Sequence, residues 1–352
     1  MKQKILLQGG YAVTVKRVLF LRFSSLGDII NSNYYAKKIK ETHPDWQLSW
    51  FCERVYEKLI KEQPWVDEVI AWDRKNGGQK EYFRLLKEVR HSRYDILIDM
   101  HSTDRSSLFS LLSGIPVRFG CERHYPLVHT TYDFKPFGGI AITEHTKPPY
   151  LAVPSVLKPA AAKAFAGGKT LALSIGASYE IKQWGTNRWI EFCQLALEKG
   201  FHIALLGSGS QETEKALSIC SALNSSHIFN LTDGLTMLEF ASAISLSAAS
   251  VSGDTGASHI AAALGVPSAV LFGSTWNEEN ISRLGNAVIL KAHCPEAGCF
   301  RSECEKPCLD SIEASEVFEQ VIRRAVLHGV HGHVLAHRSR NQNERNVEPA
   351  GL

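Results

Sequence analysis

Short β-branched and aromatic runs alternate with amphipathic helical stretches along this chain, and the alternation occurs twice. Val18–Phe23 reads as a buried strand, followed by a helix from about Asp28 to Glu41. Strands at Gln47–Cys52 and Glu68–Trp72 come next. A helix over Gln79–His91 then carries Tyr82, Leu85, Leu86 and Val89 at i, i+3, i+4 and i+7. Asp95–Met100 is a further buried strand, ending in a polar turn from His101 to Arg105. Between about Pro126 and Ala166 the pattern weakens into a stretch bearing proline and glycine. It restarts with strands at Leu171–Ile175, His202–Leu206, Ile228–Leu231, Ala249–Ser252 and Ser268–Phe272. Helices at Asn187–Lys199, Gln211–Leu223, Met237–Leu246 and Glu313–Leu327 accompany them. This alternation predicts parallel α/β architecture.

Two such passes in 352 residues predict two doubly wound, Rossmann-like domains, 1–150 and 151–328, with an aperiodic and disordered tail at 329–352. Domains of this class bind ligands at the carboxyl ends of their strands, so a cleft between the two is the expected site.

The bulk composition narrows the function classes. With 44% hydrophobic and 21% charged residues the chain is a globular protein, neither low-complexity nor collagenous. A formal charge of +3 is too small to argue for a nucleic-acid partner. No apolar run approaches the roughly 18 residues of a spanning helix, and Met1–Lys16 has no secretory h-region or cleavage site. A cytoplasmic location is therefore expected, and the extra residues ahead of Lys16 read as an upstream start or a disordered arm.

Ser252-Gly253-Asp254-Thr255-Gly256-Ala257-Ser258-His259 leads directly into the apolar run Ile260–Leu264. A small-residue turn opening a helix leaves backbone amides at Thr255, Gly256 and Ala257 free for a phosphate or diphosphate. Gly256 removes a Cβ that would block close approach. His259 lies about one turn along the same face. A plain N-cap at Asp254 or Thr255 accounts for the same residues. Arg22-Phe23-Ser24-Ser25-Leu26-Gly27-Asp28 occupies the corresponding strand-to-helix turn of the first half, with Asp28 held ionised by the helix start. There too a simple cap is the alternative.

Taken together, these two motifs resemble the heptosyltransferase family of glycosyltransferases. Further segments match in register: Asp99-Met100-His101 through Asp104-Arg105-Ser106; Ser113–Gly120; Ile175–Ser178 with Lys182-Gln183-Trp184 and Trp189; and Leu205–Gly209 with Glu212. The resemblance runs from about Lys16 to Leu327. It implies a GT-B architecture, and metal-independent, inverting transfer of heptose from ADP-heptose to the inner core of lipopolysaccharide. It also implies Asp28 as general base and Lys182 as the diphosphate lysine. Asp254 would lie near the donor sugar, Thr255 and Gly256 would form the phosphate cradle, and Glu212 would bind the ribose, with Glu214 close enough to compete for that place. No cofactor is implied, since ADP-heptose is a substrate. One departure is Gly185, where the family often has proline.

His101, Arg105, Arg118 and Arg123 are candidates for binding the anionic acceptor, with surface charge as the bland alternative. Because the implied acceptor is a lipid, transient contact with the cytoplasmic face of the inner membrane is expected.

Cys294, Cys299, Cys304 and Cys308 cluster ahead of the last helix, as a structural zinc site, as reduced thiols packing a loop or as redox-sensitive pairs. Their spacing is not the C-x2-C of zinc ribbons. A dehydrogenase reading of Gly207-Ser208-Gly209 fails because Glu212 stands where the third glycine belongs. A transferase using another nucleotide sugar and a non-catalytic sugar-nucleotide sensor are the competing readings.

Overall fold

A computed structural model describes residues 4–6, 12–14, 16–120, 128–130, 148–166, 169–277, 284–285, 287–305 and 307–323. The chain divides into two compact units. The first comprises Met1–Val156 with Thr236–Ala241, and the second Leu157–Leu235 with Ser242–Leu352. The main break thus falls at 156/157. The expected tail at 329–352 lies outside the described residues.

Unit 1 begins with an antiparallel pair, β1 (Lys4–Leu6) and β2 (Ala12–Thr14), inside the segment ahead of Lys16. Its main elements are β3 (Arg17–Leu21), α1 (Leu26–Thr42), β4 (Gln47–Glu53), α2 (Glu57–Lys61), β5 (Glu68–Trp72), α3 (Gly78–His91), β6 (Ile96–Asp99), α4 (Asp104–Leu112) and β7 (Val117–Gly120). All pairings in this five-stranded sheet are parallel, in the order β5-β4-β3-β6-β7. That order is the Rossmann 3-2-1-4-5, with its topological switch point between β3 and β6.

Strand residues alternate between two buried faces, which is why the strands read as continuous apolar runs. Val18, Phe20, Trp50 and Ile98 pack with α1 residues Ile29, Ala36 and Ile39. Leu19, Leu21, Phe51 and Leu97 pack on the other face with Tyr82, Leu85 and Val89 of α3 and Phe109 of α4.

Unit 2 contains α5 (Pro159–Ala162), β8 (Thr170–Ser174), α6 (Thr186–Glu198), β9 (His202–Leu206), α7 (Ser210–Leu223) and β10 (Ile228–Asn230). Helix α8 (Met237–Ser245) starts in the Thr236–Ala241 segment of unit 1 and ends in unit 2, which continues with β11 (Ala249–Gly253), α9 (Gly256–Leu264), β12 (Ser268–Phe272) and β13 (Val288–Lys291), and residues 314–323 are helical. Its sheet is also wholly parallel, β10-β9-β8-β11-β12-β13, the six-stranded 3-2-1-4-5-6 order with the switch point between β8 and β11. Leu171, Ile203, Val251 and Leu271 join Trp184, Trp189, Phe192 and Val317 in its largest core cluster.

The expected strands and helices are present within one or two residues at most ends, and the end of the last helix, expected at Leu327, lies outside the described residues. The turn expected at His101–Arg105 is shorter, because Thr103 and Ser106 cap each other (Thr103 N–H to Ser106 Oγ, 3.0 Å) and start α4 at Asp104. No helix among the described residues is long and apolar enough to cross a membrane.

Candidate active site

Both switch points carry clustered functional groups. In unit 1, the turn after β3 brings Asp28 into the first turn of α1. Its Oδ2 lies 2.5 Å from Arg22 Nη2. The same oxygen accepts the Ser25 hydroxyl at 2.9 Å and the Ser25 N–H at 3.3 Å. The capping role and the functional position therefore coincide in one carboxylate. Burial works against its charge, but Arg22 and the Ser25 donors outweigh it and hold the carboxyl below its usual range.

Arg22 also donates to the carbonyl of Met100 at the end of the neighbouring strand β6. His101 follows Met100 and packs on Phe23, with ring centroids 4.9 Å apart. Burial, reinforced by the Arg22 charge, lowers its pKa to about 4, so the imidazole is neutral at physiological pH. Fully buried Asp99 fixes this turn. Its Oδ1 accepts the N–H groups of His101 and Ser102, both at 3.0 Å, and its Oδ2 lies 3.2 Å from His129 Nε2.

In unit 2, the loops after β8 and β11 lie side by side. Lys182 ends a short 3-10 turn, and its Nζ stands 3.8 Å from Asp254 Oδ2. The approach demands glycine at 253, since a Cβ there would lie 2.7 Å from the Lys182 carbonyl oxygen. Thr255 is the extended N-cap of α9 and makes no side-chain cap hydrogen bond; Gly256 is the first helical residue. The Ser258 N–H turns back to the Thr255 carbonyl at 3.1 Å, and helix geometry leaves the Gly256 and Ala257 amides without intrahelical acceptors. His259 is half-buried one residue further along α9.

Glu212 opens α7 and lies against the glycines that end the two preceding strands. A Cβ at Gly176 would fall 1.7 Å from its Oε1, and one at Gly207 would fall 2.3 Å from its Oε2. The Ser208 N–H donates to Oε2 at 2.7 Å. Burial raises its pKa, partly offset by the Ser208 bond and Lys215.

This arrangement, strand-end carboxylate in one Rossmann-like unit and lysine with an open helix start in the other, can be set beside known proteins. The profile of glycosyltransferase family 9 (heptosyltransferase) matches residues 129–309, more than half of the 352 residues. The chain belongs to glycosyltransferase family 9.

Its relatives agree. A lipopolysaccharide heptosyltransferase 1 of Pseudomonas aeruginosa is 25% identical over 316 residues, covering 82% of this chain and 87% of its own length. A family 9 glycosyltransferase from Veillonella parvula superposes with a TM-score of 0.74 at 16% identity, covering 88% of this chain and 97% of that one. The ADP-heptose lipopolysaccharide heptosyltransferase II of Escherichia coli superposes with a TM-score of 0.71 at 19% identity, covering 89% and 99%. The two Rossmann-like units of this glycosyltransferase thus have the GT-B architecture.

The remaining sequence candidates divide. Glu214 of the glycosyltransferase is exposed and its backbone carbonyl accepts the Ser218 hydroxyl, whereas Glu212 faces the strand-end glycines. Arg105 lies over the Trp72 ring at 5.3 Å. Arg118 is occupied differently: its guanidinium donates to the carbonyls of Val128 (2.6 Å) and Ile115 (2.7 Å), fastening residue 128 to β7. Arg123 lies outside the described residues.

Gly185 has a positive role here. Its N–H donates to Asp310 Oδ1 at 2.6 Å, a bond the family's more usual proline could not make.

Sequence reasoning missed three groups of the glycosyltransferase. Arg22 opens the motif that ends at Asp28, but nothing in the amino-acid order gives it a role of its own. Lys215, whose Nζ meets Gln183 Oε1 at 2.6 Å and whose pKa is lowered by burial, looks like a solvent-facing helix lysine. Asp233 accepts the Gly209 N–H at 2.7 Å and the Thr213 hydroxyl at 2.9 Å. Cys294 and Cys308 are half-buried, Cys299 and Cys304 are exposed, and all four are free thiols. Among the described residues no group of three or more His, Cys, Asp or Glu side chains is placed to hold a metal ion.

Proposed function

We propose that this glycosyltransferase moves heptose from ADP-heptose to the inner core of lipopolysaccharide with inversion at the anomeric carbon. The observation that carries the mechanism is the ionised Asp28 carboxylate at the switch point of unit 1. Arg22 and Ser25 all bind its Oδ2, and the side chain is 39% exposed. Oδ1 is the oxygen that takes the proton. As the acceptor hydroxyl attacks C1, the bond from C1 to the diphosphate oxygen breaks and the hydroxyl proton passes to Asp28. Attack on the face opposite the leaving group inverts the anomeric configuration, through a transition state of oxocarbenium character.

The departing ADP gains negative charge. Lys182 and the open amides of Gly256 and Ala257 supply preorganised donors for it, each worth about 3–4 kcal/mol in comparable sites. In this reading those groups do the work for which other transferases recruit a metal. Asp254 orients Lys182 and meets the donor sugar, His259 borders the cradle, and Glu212 accepts the ribose hydroxyls.

Unit 1 handles the acceptor, with His101 and Arg105 lining the approach to Asp28. The relatives named for lipopolysaccharide and ADP-heptose support this choice of substrates. Because that acceptor is anchored in lipid, the enzyme works at the cytoplasmic face of the inner membrane in transient contact with it.

Calorimetric titration with ADP, UDP, GDP and CMP tests the donor. Selective binding of ADP is expected; preference for UDP or GDP would leave a transferase but overturn ADP-heptose as its substrate.

A further inference from the structure

Helix α4 is amphipathic the wrong way round. It buries Ser106, Ser107 and Ser110 together with Phe109, and turns Leu108 (47% exposed), Leu111 (50%) and Leu112 (36%) outward. A surface helix of a globular protein ordinarily does the reverse. Rotation cannot repair this, because two of the inward serines, Ser106 and Ser110, are tied down. Ser110 Oγ donates to the buried Asp99 at 3.3 Å, and Ser106 Oγ both receives the Thr103 N–H and donates to the Thr103 carbonyl.

Cations flank the leucine row. Helix α3 runs beside α4: Tyr82 packs on Phe109 and its hydroxyl donates to the Arg105 carbonyl. Along α3, Phe83 (51% exposed), Lys87 and Arg90 recur at i, i+4 and i+7. Arg90 Nη1 donates to the Leu112 carbonyl at 3.1 Å, so this row borders the leucines. Lys80, His91 and Arg93 are exposed as well, while Glu81 and Glu88 are paired with Arg84.

We infer that the outer face of α3 and α4 docks on an anionic lipid surface, with Leu108, Leu111, Leu112 and Phe83 entering the headgroup region and Lys87 and Arg90 meeting lipid phosphates. Apolar side chains rimmed by cations are what such an interface requires. A second copy of the chain fits less well. Four half-exposed side chains offer a few hundred Å² of apolar surface, against roughly 800 Å² per partner in a stable interface. A two-fold contact would also gather two copies each of Lys87 and Arg90 around one small interface. The inference gives the membrane contact of the proposed function a location, and rests on that reading only in placing the enzyme near lipid.

The test is cosedimentation of the full chain with vesicles of phosphatidylglycerol and phosphatidylcholine, against vesicles of phosphatidylcholine alone. Wild type should bind the anionic vesicles, more weakly as salt rises. Leu108→Glu/Leu111→Glu and, separately, Lys87→Glu should each reduce binding about tenfold. Thermal unfolding and ADP affinity, which reports on unit 2, should not change.

Vesicle binding unaffected by either variant, or no binding by wild type, would overturn the inference. So would a wild-type dimer in sedimentation velocity that the leucine variant converts to monomer. Transfer to a short, lipid-free acceptor should survive both variants, so loss of vesicle binding is distinguishable from failure of the proposed reaction.

Discussion

Arg22 and Asp28, six residues apart around one strand-to-helix turn, form a 2.5 Å ion pair, and the same guanidinium is anchored to the Met100 carbonyl at the end of the adjacent strand. The pair ties the proposed base to both strands of the switch point. The Ser25 hydroxyl and N–H donate to the same oxygen, Oδ2.

Asp28→Asn removes the proton acceptor and keeps the shape. Turnover should fall by about 10²- to 10⁴-fold, while ADP affinity, set in unit 2, stays within a factor of two or so. Steady-state rates beside calorimetric ADP binding check both; substantial residual turnover would remove Asp28 as base.

Arg22→Met addresses the electrostatics. Arg22 lowers the Asp28 pKa, so its loss should move the acid limb of the pH–rate profile to higher pH. Other ionisable groups facing Asp28 are His101 and Tyr56, and His101 should become easier to protonate in the variant, since Arg22 now disfavours its charge. The stability linkage has the matching sign. A carboxyl depressed in the folded state stabilises above its unfolded pKa and loses that contribution as pH falls through the folded one. Wild type should therefore lose more stability on acidification than Arg22→Met. An unmoved acid limb would contradict the role given to Arg22.

Lys182→Ala should weaken ADP binding by about ten- to a hundredfold, the range for a charge-assisted contact of about 1.5–3 kcal/mol. Equal affinity for ADP in wild type and variant would detach Lys182 from the diphosphate.

Gly176→Ala tests the seat of Glu212 without touching its chemistry. The new methyl would lie 1.7 Å from Oε1, so the carboxylate must move. ADP affinity should fall at least as far as in Glu212→Gln, whereas Glu214→Gln should leave it unchanged. Titration of the three variants checks the order.

Much of this was legible in the amino-acid order. β9 and β12 end where the apolar runs end, because strands buried on both faces announce themselves. The expected base and diphosphate lysine both fall at switch points. What stayed hidden depends on neighbours distant in sequence. α4 escaped notice because its inward face is made of serines, and their partner Asp99 lies on another element. Arg22 gains meaning only when parallel pairing brings β6 beside β3 and presents the Met100 carbonyl. Glu212 and Glu214 are two residues apart, about 200° around a helix, and only the start of α7 at Ser210 decides which one faces the strand ends. β13 was missed because Val288–Lys291 is short and follows a polar stretch.

The most direct measurement is transfer itself: incubation of the full chain with ADP-heptose and a heptose-deficient lipopolysaccharide core, following ADP release and acceptor mass together. One ADP should be released for each heptose gained, at a rate that collapses in Asp28→Asn. Failure to use ADP-heptose while another nucleotide sugar is turned over would contradict the proposed reaction.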